Sequence, residues 1–300
     1  CSSGTICPNE GSTSDGTQCP TSSYCPEGST HAVECAGSWC TAGSGAAAIV
    51  EDGLFARYTM SSWDSETMVW ADLVGGADLE GNVGVQARHS SGDGADRAVS
   101  FLYGGVDATL VPTAVNLPPT FSICSVSRYD GSTRGRILQS WSNNWLHGHY
   151  YGNAGVAYYE GWKTPEADTV SPDTNWVVMC GQNGGTSAIY SNGKNIAIAS
   201  GGSGNQRIGV NGGAYPAEVS DWAIMEIAVW DRVLSEAEFI RMSDHYLGVL
   251  AGDQPQCPFT IPYGSYCPAG SATESPCPAG YFCETVTTSA LCPVGSTAVE

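Results

Sequence analysis

The chain has 300 residues, with 30 acids against 11 bases and a net charge of −19. That balance leaves no basic footprint for a nucleic acid and disfavours anionic membrane surfaces; it suits solubility, divalent cations and neutral glycans. No apolar run is long enough to span a bilayer, so no membrane insertion is expected within these residues, and the 13 cysteines read as disulfides of an oxidising, extracellular compartment.

Residues 1–48 hold almost no core-forming side chains and carry cysteines at 1, 7, 19, 25, 35 and 40. Cys-Pro recurs at Cys7, Cys19 and Cys25, and again at Cys257, Cys267, Cys277 and Cys292 within residues 253–300. Pro fixes φ and Gly permits tight turns, so each unit reads as a stiff turn between bridges. Modules this short bury too little apolar surface to fold without cross-links. Structural zinc would want CxxC pairs, which the sequence lacks.

Between these ends, residues 49–252 read as short alternating runs separated by Gly, Asn, Asp and Pro turns. Phe121–Val126 and Trp176–Cys180 are strand candidates. Thr186–Tyr190 and Asn195–Ala199 flank Ser191-Asn192-Gly193-Lys194, where Asn-Gly supplies the positive-φ pair of a tight hairpin. Ala223–Trp230 is apolar on both faces except for Glu226 and is therefore a central strand. A helix follows, with Ser235 as N-cap, Glu238 at N3 of a capping box, and Leu234 and Phe239 placed as a hydrophobic staple. The expectation is a mainly β protein: a two-sheet jelly-roll sandwich with one short C-terminal helix, flanked by small disulfide-rich modules over 1–48 and 253–300.

The stretch 139–162 is the most aromatic of the chain. It holds Trp141, Trp145, His147, His149, Tyr150, Tyr151, Tyr159 and Trp162. Exposed Trp and Tyr faces beside Asn and His donors suit sugar stacking or a protein contact; the plainer alternative is that these rings fill the sandwich core. Strand alternation puts Trp145, His147 and His149 on one face. His147 and His149 share a spacing that can hold a metal, but no third ligand is assignable. Asp93 and Asp96 lie in an oxygen-rich turn that could take Ca²⁺, as do Asp72, Asp78 and Glu80, without EF-hand spacing; solvated turn acids are the ordinary reading. Glycoside hydrolysis needs two carboxylates across a cleft. No concentrated acid pair on one strand, no Gly-x-Ser-x-Gly and no phosphate loop is present, so the chain is expected not to be an enzyme and to require no cofactor.

Two resemblances sharpen this reading. Cys267-Pro-Ala-Gly-Ser, Cys277-Pro-Ala-Gly-Tyr-Phe-Cys283 and Cys19-Pro-Thr-Ser-Ser-Tyr-Cys25-Pro-Glu-Gly resemble ephrin-receptor-like cysteine-rich repeats, akin to tumour-necrosis-factor-receptor modules. That likeness covers about a third of the chain and implies disulfide-laddered extracellular spacers. Leu54–Tyr58, Trp70–Gly75, Trp176–Met179, Ile189–Lys194, Ile208-Gly209 and Glu226–Ser235 with the following Glu-Ala-Glu resemble the laminin-G-like, concanavalin A-like jelly roll. The resemblance implies a binding or scaffolding module; some members take Ca²⁺ and glycans, and relatives on the fold include glycosidases. It also implies that the strands of Cys124 and Cys180 are neighbours and bridged, with Cα atoms about 4.4–6.8 Å apart.

Finally, Cys292-Pro-Val-Gly-Ser-Thr-Ala-Val-Glu300 repeats Cys25-Pro-Glu-Gly-Ser-Thr-His-Ala-Val-Glu34 less one residue, and stops where the chain's own Cys1 would continue it. The expected function is therefore one unit of an extracellular filament, its partners being further copies head to tail with Glu300 beside Cys1. The alternative is an adhesin or receptor module that binds glycan, and a remote one is a glycoside-active enzyme on the same fold.

Overall fold

The computed structural model describes residues 49–252 throughout, and outside them only short antiparallel strand pairs. Near the N-terminus these are β1 (Thr5–Ile6) with β2 (Thr17–Gln18) and β3 (Ser23–Tyr24) with β4 (Val33–Glu34). The disulfides expected within 1–48 and 253–300, and the Glu300–Cys1 contact, lie outside the described residues.

In chain order the central region runs β5 (Leu54–Tyr58), β6 (Trp63–Asp64), β7 (Val69–Trp70), β8 (Leu79–Gly81), β9 (Gln86–Gly92), β10 (Ala95–Gly104), β11 (Leu110–Pro112), β12 (Ser122–Arg134), β13 (Leu138–Ser140), β14 (Trp145–Tyr150) and β15 (Asn153–Tyr159). It continues through β16 (Val177–Gln182), β17 (Ile189–Ser191), β18 (Lys194–Asn195), β19 (Ile208–Val210) and β20 (Ser220–Trp230) to the helix α1 (Glu236–Ala251). The pairs β21 (Ser265–Tyr266) with β22 (Ser275–Pro276) and β23 (Tyr281–Thr285) with β24 (Thr288–Leu291) follow. The first sheet is ordered β18-β17-β16-β12-β20-β10-β9, with β5 also on β20; the second is β15-β14-β13-β19-β11-β8-β7-β6. Both sheets are antiparallel throughout, and the fold is the mainly β two-sheet sandwich with one helix.

Two apolar layers hold it together. Ile123, Tyr129, Leu138, Trp145, Tyr159, Trp222, Ile224, Ile227 and Val229 pack between the sheets. Cys124, Val126, Val178, Ala223, Met225, Trp230, Phe239, Met242 and Tyr246 pack between the first sheet and α1. That is why β20 is apolar on both faces. Its alternation is broken at a bulge: Val126 pairs with Glu226, but Ser127 pairs with Ile224, so Met225 is an extra residue there. A bulge exchanges the faces of a strand. Ile224 and Ile227 thus both point between the sheets, and Glu226 points towards the helix. There its carboxylate accepts from Arg57 Nε at 2.8 Å and from the Tyr246 hydroxyl at 3.1 Å. The lone acid of the strand is thereby paired rather than buried bare.

The helix begins as its sequence implies. Ser235 Oγ accepts from Glu238 N, and Glu238 Oε2 accepts from Ser235 N at 2.8 Å; Leu234 and Phe239 are both buried. It ends at Gly252, whose φ of 83° is open to glycine. The Asn192-Gly193 turn forms with φ of 44° and 79°. The second strand of that hairpin stops at Asn195, shorter than the expected run to Ala199. The Asn195 side chain explains the stop: its Oδ1 accepts from Ala197 N at 3.1 Å, turning the chain out of the ladder.

Cys124 and Cys180 face one another across β12 and β16 and are bridged. Their Cα atoms are 4.1 Å apart, just short of the expected range of about 4.4–6.8 Å, as the two residues are direct cross-strand partners.

Candidate functional site

The β14–β15 hairpin carries the aromatic stretch, and the pleat divides it in two. Trp145, His147 and His149 do share a face, but it is the face between the sheets. Together with Tyr159 they are completely buried, which corrects their assignment as contact residues. The reason is volume: a sandwich interior about 10 Å thick is filled by large rings more readily than by short side chains. Trp145 and Tyr159 stack at 5.0 Å between centroids, nearly parallel. His147 Nε2 lies 3.2 Å from the Met179 carbonyl, so that nitrogen donates, and Nδ1 accepts from the Tyr159 hydroxyl at 2.7 Å. Burial pushes the His147 pKa down to about 4. Burial, and then the neighbouring His147, takes His149 down to about 3. Both rings are neutral at pH 7. Among the described residues no group of three His, Cys, Asp or Glu is placed to hold a metal.

Of the acids expected to take Ca²⁺, Asp93 and Asp72 have partners within the protein. Asp93 sits at φ 53° in the β9–β10 turn and pairs with Arg128 at 3.1 Å. Asp96 lines a separate open cavity of about 500 Å³ with Asn175, Trp176, Leu247 and Leu250. Asp72 accepts from the backbone N–H groups of Arg57, Val74 and Gly76, and so fixes a turn.

The other half of the aromatic stretch is at the surface. Tyr150, Tyr158 and Trp162 are half-buried on the outer side of the second sheet, and Tyr151 is 66% exposed at the hairpin tip. Tyr150 meets Tyr151 at 4.9 Å and Trp162 at 5.5 Å, and Tyr158 meets Trp162 at 5.2 Å, all edge to face. Trp162 is brought back over the sheet by a tight turn, because Tyr158 and Trp162 form a β-bridge. A row of cross-strand partners runs beneath: Gly209 with Gln139, Gln139 with Leu146, and Leu146 with Tyr158. Trp141 lies over the Gly209 end. A Cβ at Gly209 would come within 2.7 Å of its ring, and one at Gly212 within 2.8 Å, so both positions need glycine. Gln139 is fully buried, and neither end of its amide has a hydrogen-bond partner among the described residues.

Arg136 anchors the margin of this face. It is buried, with Nε donating to Glu218 and Nη1 donating to Asn144 at 2.9 Å, and its guanidinium lies 5.4 Å from the Tyr150 ring and 4.2 Å from the Tyr215 ring. Asn144 in turn accepts, through its carbonyl, from Glu160 N at 3.0 Å. Arg136, Gln139, Tyr158, Tyr215 and Glu218 are the members that sequence reasoning missed. Tyr158 was findable, since alternation across the hairpin places it opposite Leu146, on the face of Tyr150. Arg136 reaches the face from the β12–β13 loop and Tyr215 and Glu218 from the β19–β20 loop, so together they leave no local pattern.

No protein-family model matches the chain, and no curated protein matches it. Among solved structures, a Trypanosoma rangeli sialidase is similar at 15% identity and a TM-score of 0.44, over 67% of this chain and 34% of the sialidase. The binding domain of Paraclostridial Mosquitocidal Protein 1 is similar at 16% and 0.44, over 65% and 52%. Domain 4 of AbnA, a GH43 extracellular arabinanase from Geobacillus stearothermophilus solved in complex with arabinotriose, is similar at 11% and 0.44, over 63% and 98%. The chain spans about a third of the sialidase. These are likenesses of fold, and no site residue is carried across. They do correct one expectation: two of these structures come from enzymes, a sialidase and an arabinanase, and the sequence-based exclusion of enzymatic activity is withdrawn.

Proposed function

We propose that residues 49–252 act as an extracellular carbohydrate-binding sandwich whose binding face is the outer side of the second sheet. The observation that carries this reading is the surface cluster of Tyr150, Tyr151, Tyr158 and Trp162. Sugar rings expose apolar C–H faces, which stack on aromatic rings, and hydroxyls, which need donors and acceptors nearby. Asn144, Glu160 and Glu218 supply these at the margin of the cluster, and buried Gln139 lies beneath it. The Cys124–Cys180 bridge agrees with an oxidising compartment, and none of the described helices is long and apolar enough to cross a membrane. The flanking cysteine-rich segments 1–48 and 253–300 would serve as spacers, and Ca²⁺ at Asp93 and Asp96 is not needed for the reading. The end-to-end filament rests on residues outside the described range, and no observation on the sandwich favours it.

A glycan array probed with the full chain and with Trp162→Ala tests the proposal. The expected result is retention of at least one glycan by the native chain, weakened about tenfold or more in the variant, because aromatic anchors dominate such contacts. Retention of no glycan, or equal retention by both chains, would overturn it.

A further inference from the structure

We infer that the outer face of the second sheet selects neutral saccharides and rejects acidic ones; this rests on the glycan-binding reading above. Recognition of a sugar carboxylate calls for a cation free to meet it. Around the Tyr150–Trp162 cluster three cations are already engaged, and Arg207, at the Trp141 end of the face, donates to the Pro112 carbonyl. Arg136 is buried, held by Glu218 and Asn144, with its guanidinium against Tyr150 and Tyr215. Lys163, next to Trp162, is 8% exposed, and its ammonium donates to the Ser200 carbonyl at 3.0 Å. Arg134, whose carbonyl accepts from Gly152 N at the hairpin tip, is paired with Asp173.

The anions, in contrast, stand outward. Glu160 is exposed in the turn that returns Trp162 to the sheet, and Glu166 is exposed in the loop that follows. Glu218 keeps part of its carboxylate in solvent while binding Arg136. Their field reaches the aromatic rings: the Tyr150 hydroxyl pKa is raised by burial first, then by Glu218, with Glu166 adding to it and Arg136 opposing. A sugar carboxylate docked on Tyr150 would face these acids without a compensating cation, and like charges in contact are a strong device against a wrong ligand. Neutral hydroxyls meet no such penalty, and the same carboxylates accept hydrogen bonds from them.

The test is an array of matched pairs, each a neutral oligosaccharide beside the same chain carrying uronate or sialic acid residues. It is probed with the native full chain, with Trp162→Ala and with Tyr151→Ala; the last removes a mostly exposed ring and leaves the core intact. Neutral members should be held at least about tenfold more tightly than their acidic partners, with retention lost in Trp162→Ala and reduced in Tyr151→Ala. Glu218→Gln, which releases Arg136 from its anionic partner, should bring the two members of a pair to within about threefold. If acidic members bind as well or better and the aromatic variants abolish that binding, the charge inference fails while the glycan face stands. If no member binds, or binding ignores both aromatic variants, the face itself is wrong and the inference falls with it.

Discussion

The two sides of the β14–β15 hairpin are made of the same kinds of residue and are put to opposite uses. Trp145, His147, His149 and Tyr159 point between the sheets and are sealed from water. Tyr150, Tyr151, Tyr158 and Trp162 point outward, with their rings meeting edge to face. Trp145, His147 and Tyr159 stack nearly in parallel, His149 meets Tyr129 edge to face, and His147 and Tyr159 satisfy each other's polar atoms. The outer rings are ringed by carboxylates and amides that have bonding capacity left. One step of strand alternation separates a ring that stabilises the fold from a ring available to a ligand. Composition alone therefore cannot assign an aromatic run; the direction of each side chain must be known.

The strongest way to sharpen this contrast is to truncate one ring on each side. Trp145→Ala should cost about 3–5 kcal/mol of stability, since it leaves a cavity in a dry core. Chemical denaturation would show this as a lower midpoint. Trp162→Ala should cost roughly 1 kcal/mol, because its ring is half-buried. Equal losses at the two positions would erase the distinction.

Opening the disulfide probes the inner side from the helix layer. Cys124 and Cys180 are 56 residues apart, so replacing both with alanine should cost about 2–4 kcal/mol in thermal unfolding without moving the outer rings. A variant that lost glycan retention while keeping native stability would speak against the separation of the two layers.

Acid should distinguish the two sides through the buried histidines. Their folded pKa values lie at about 4 and about 3, below an unfolded value near 6.5. Between these values the unfolded chain takes up protons that the folded chain refuses. Stability should therefore be unaffected by these groups above about pH 6.5, and should fall as pH drops from there towards 4 and 3. His149→Phe removes one of the two groups, and its unfolding free energy against pH should be measurably flatter over that window. An unchanged slope would mean that His149 is not held neutral. The smallest effect belongs to Tyr151→Ala, expected to change stability by no more than about 0.5 kcal/mol while weakening saccharide retention.

Much of the fold was legible because local signals agreed. Asn192-Gly193 dictated a positive-φ turn, Ser235 with Glu238 dictated a helix start, and Cys124 with Cys180 lay on neighbouring strands as the jelly-roll resemblance implied. The site was only half legible. Period-2 alternation grouped Trp145, His147 and His149 correctly, but alternation has no sign and does not say which face looks inward. The bulge at Met225, which turns Glu226 towards Arg57 and Tyr246, has no sequence signature either. Arg136, Tyr215 and Glu218 converge across some 80 residues of chain, and only the folded topology brings them together.

The most direct test of the outward face is to follow the tryptophan indole N–H resonances of the full chain while titrating a saccharide retained on the array. Trp162 borders the proposed face, Trp145 lies in the core behind it, and Trp176 lines the distant cavity beside α1. The expected result is a saturable shift of Trp162, with Trp145 and Trp176 unmoved. A shift confined to Trp176, with Trp162 silent at saturation, would place the ligand elsewhere and contradict the account.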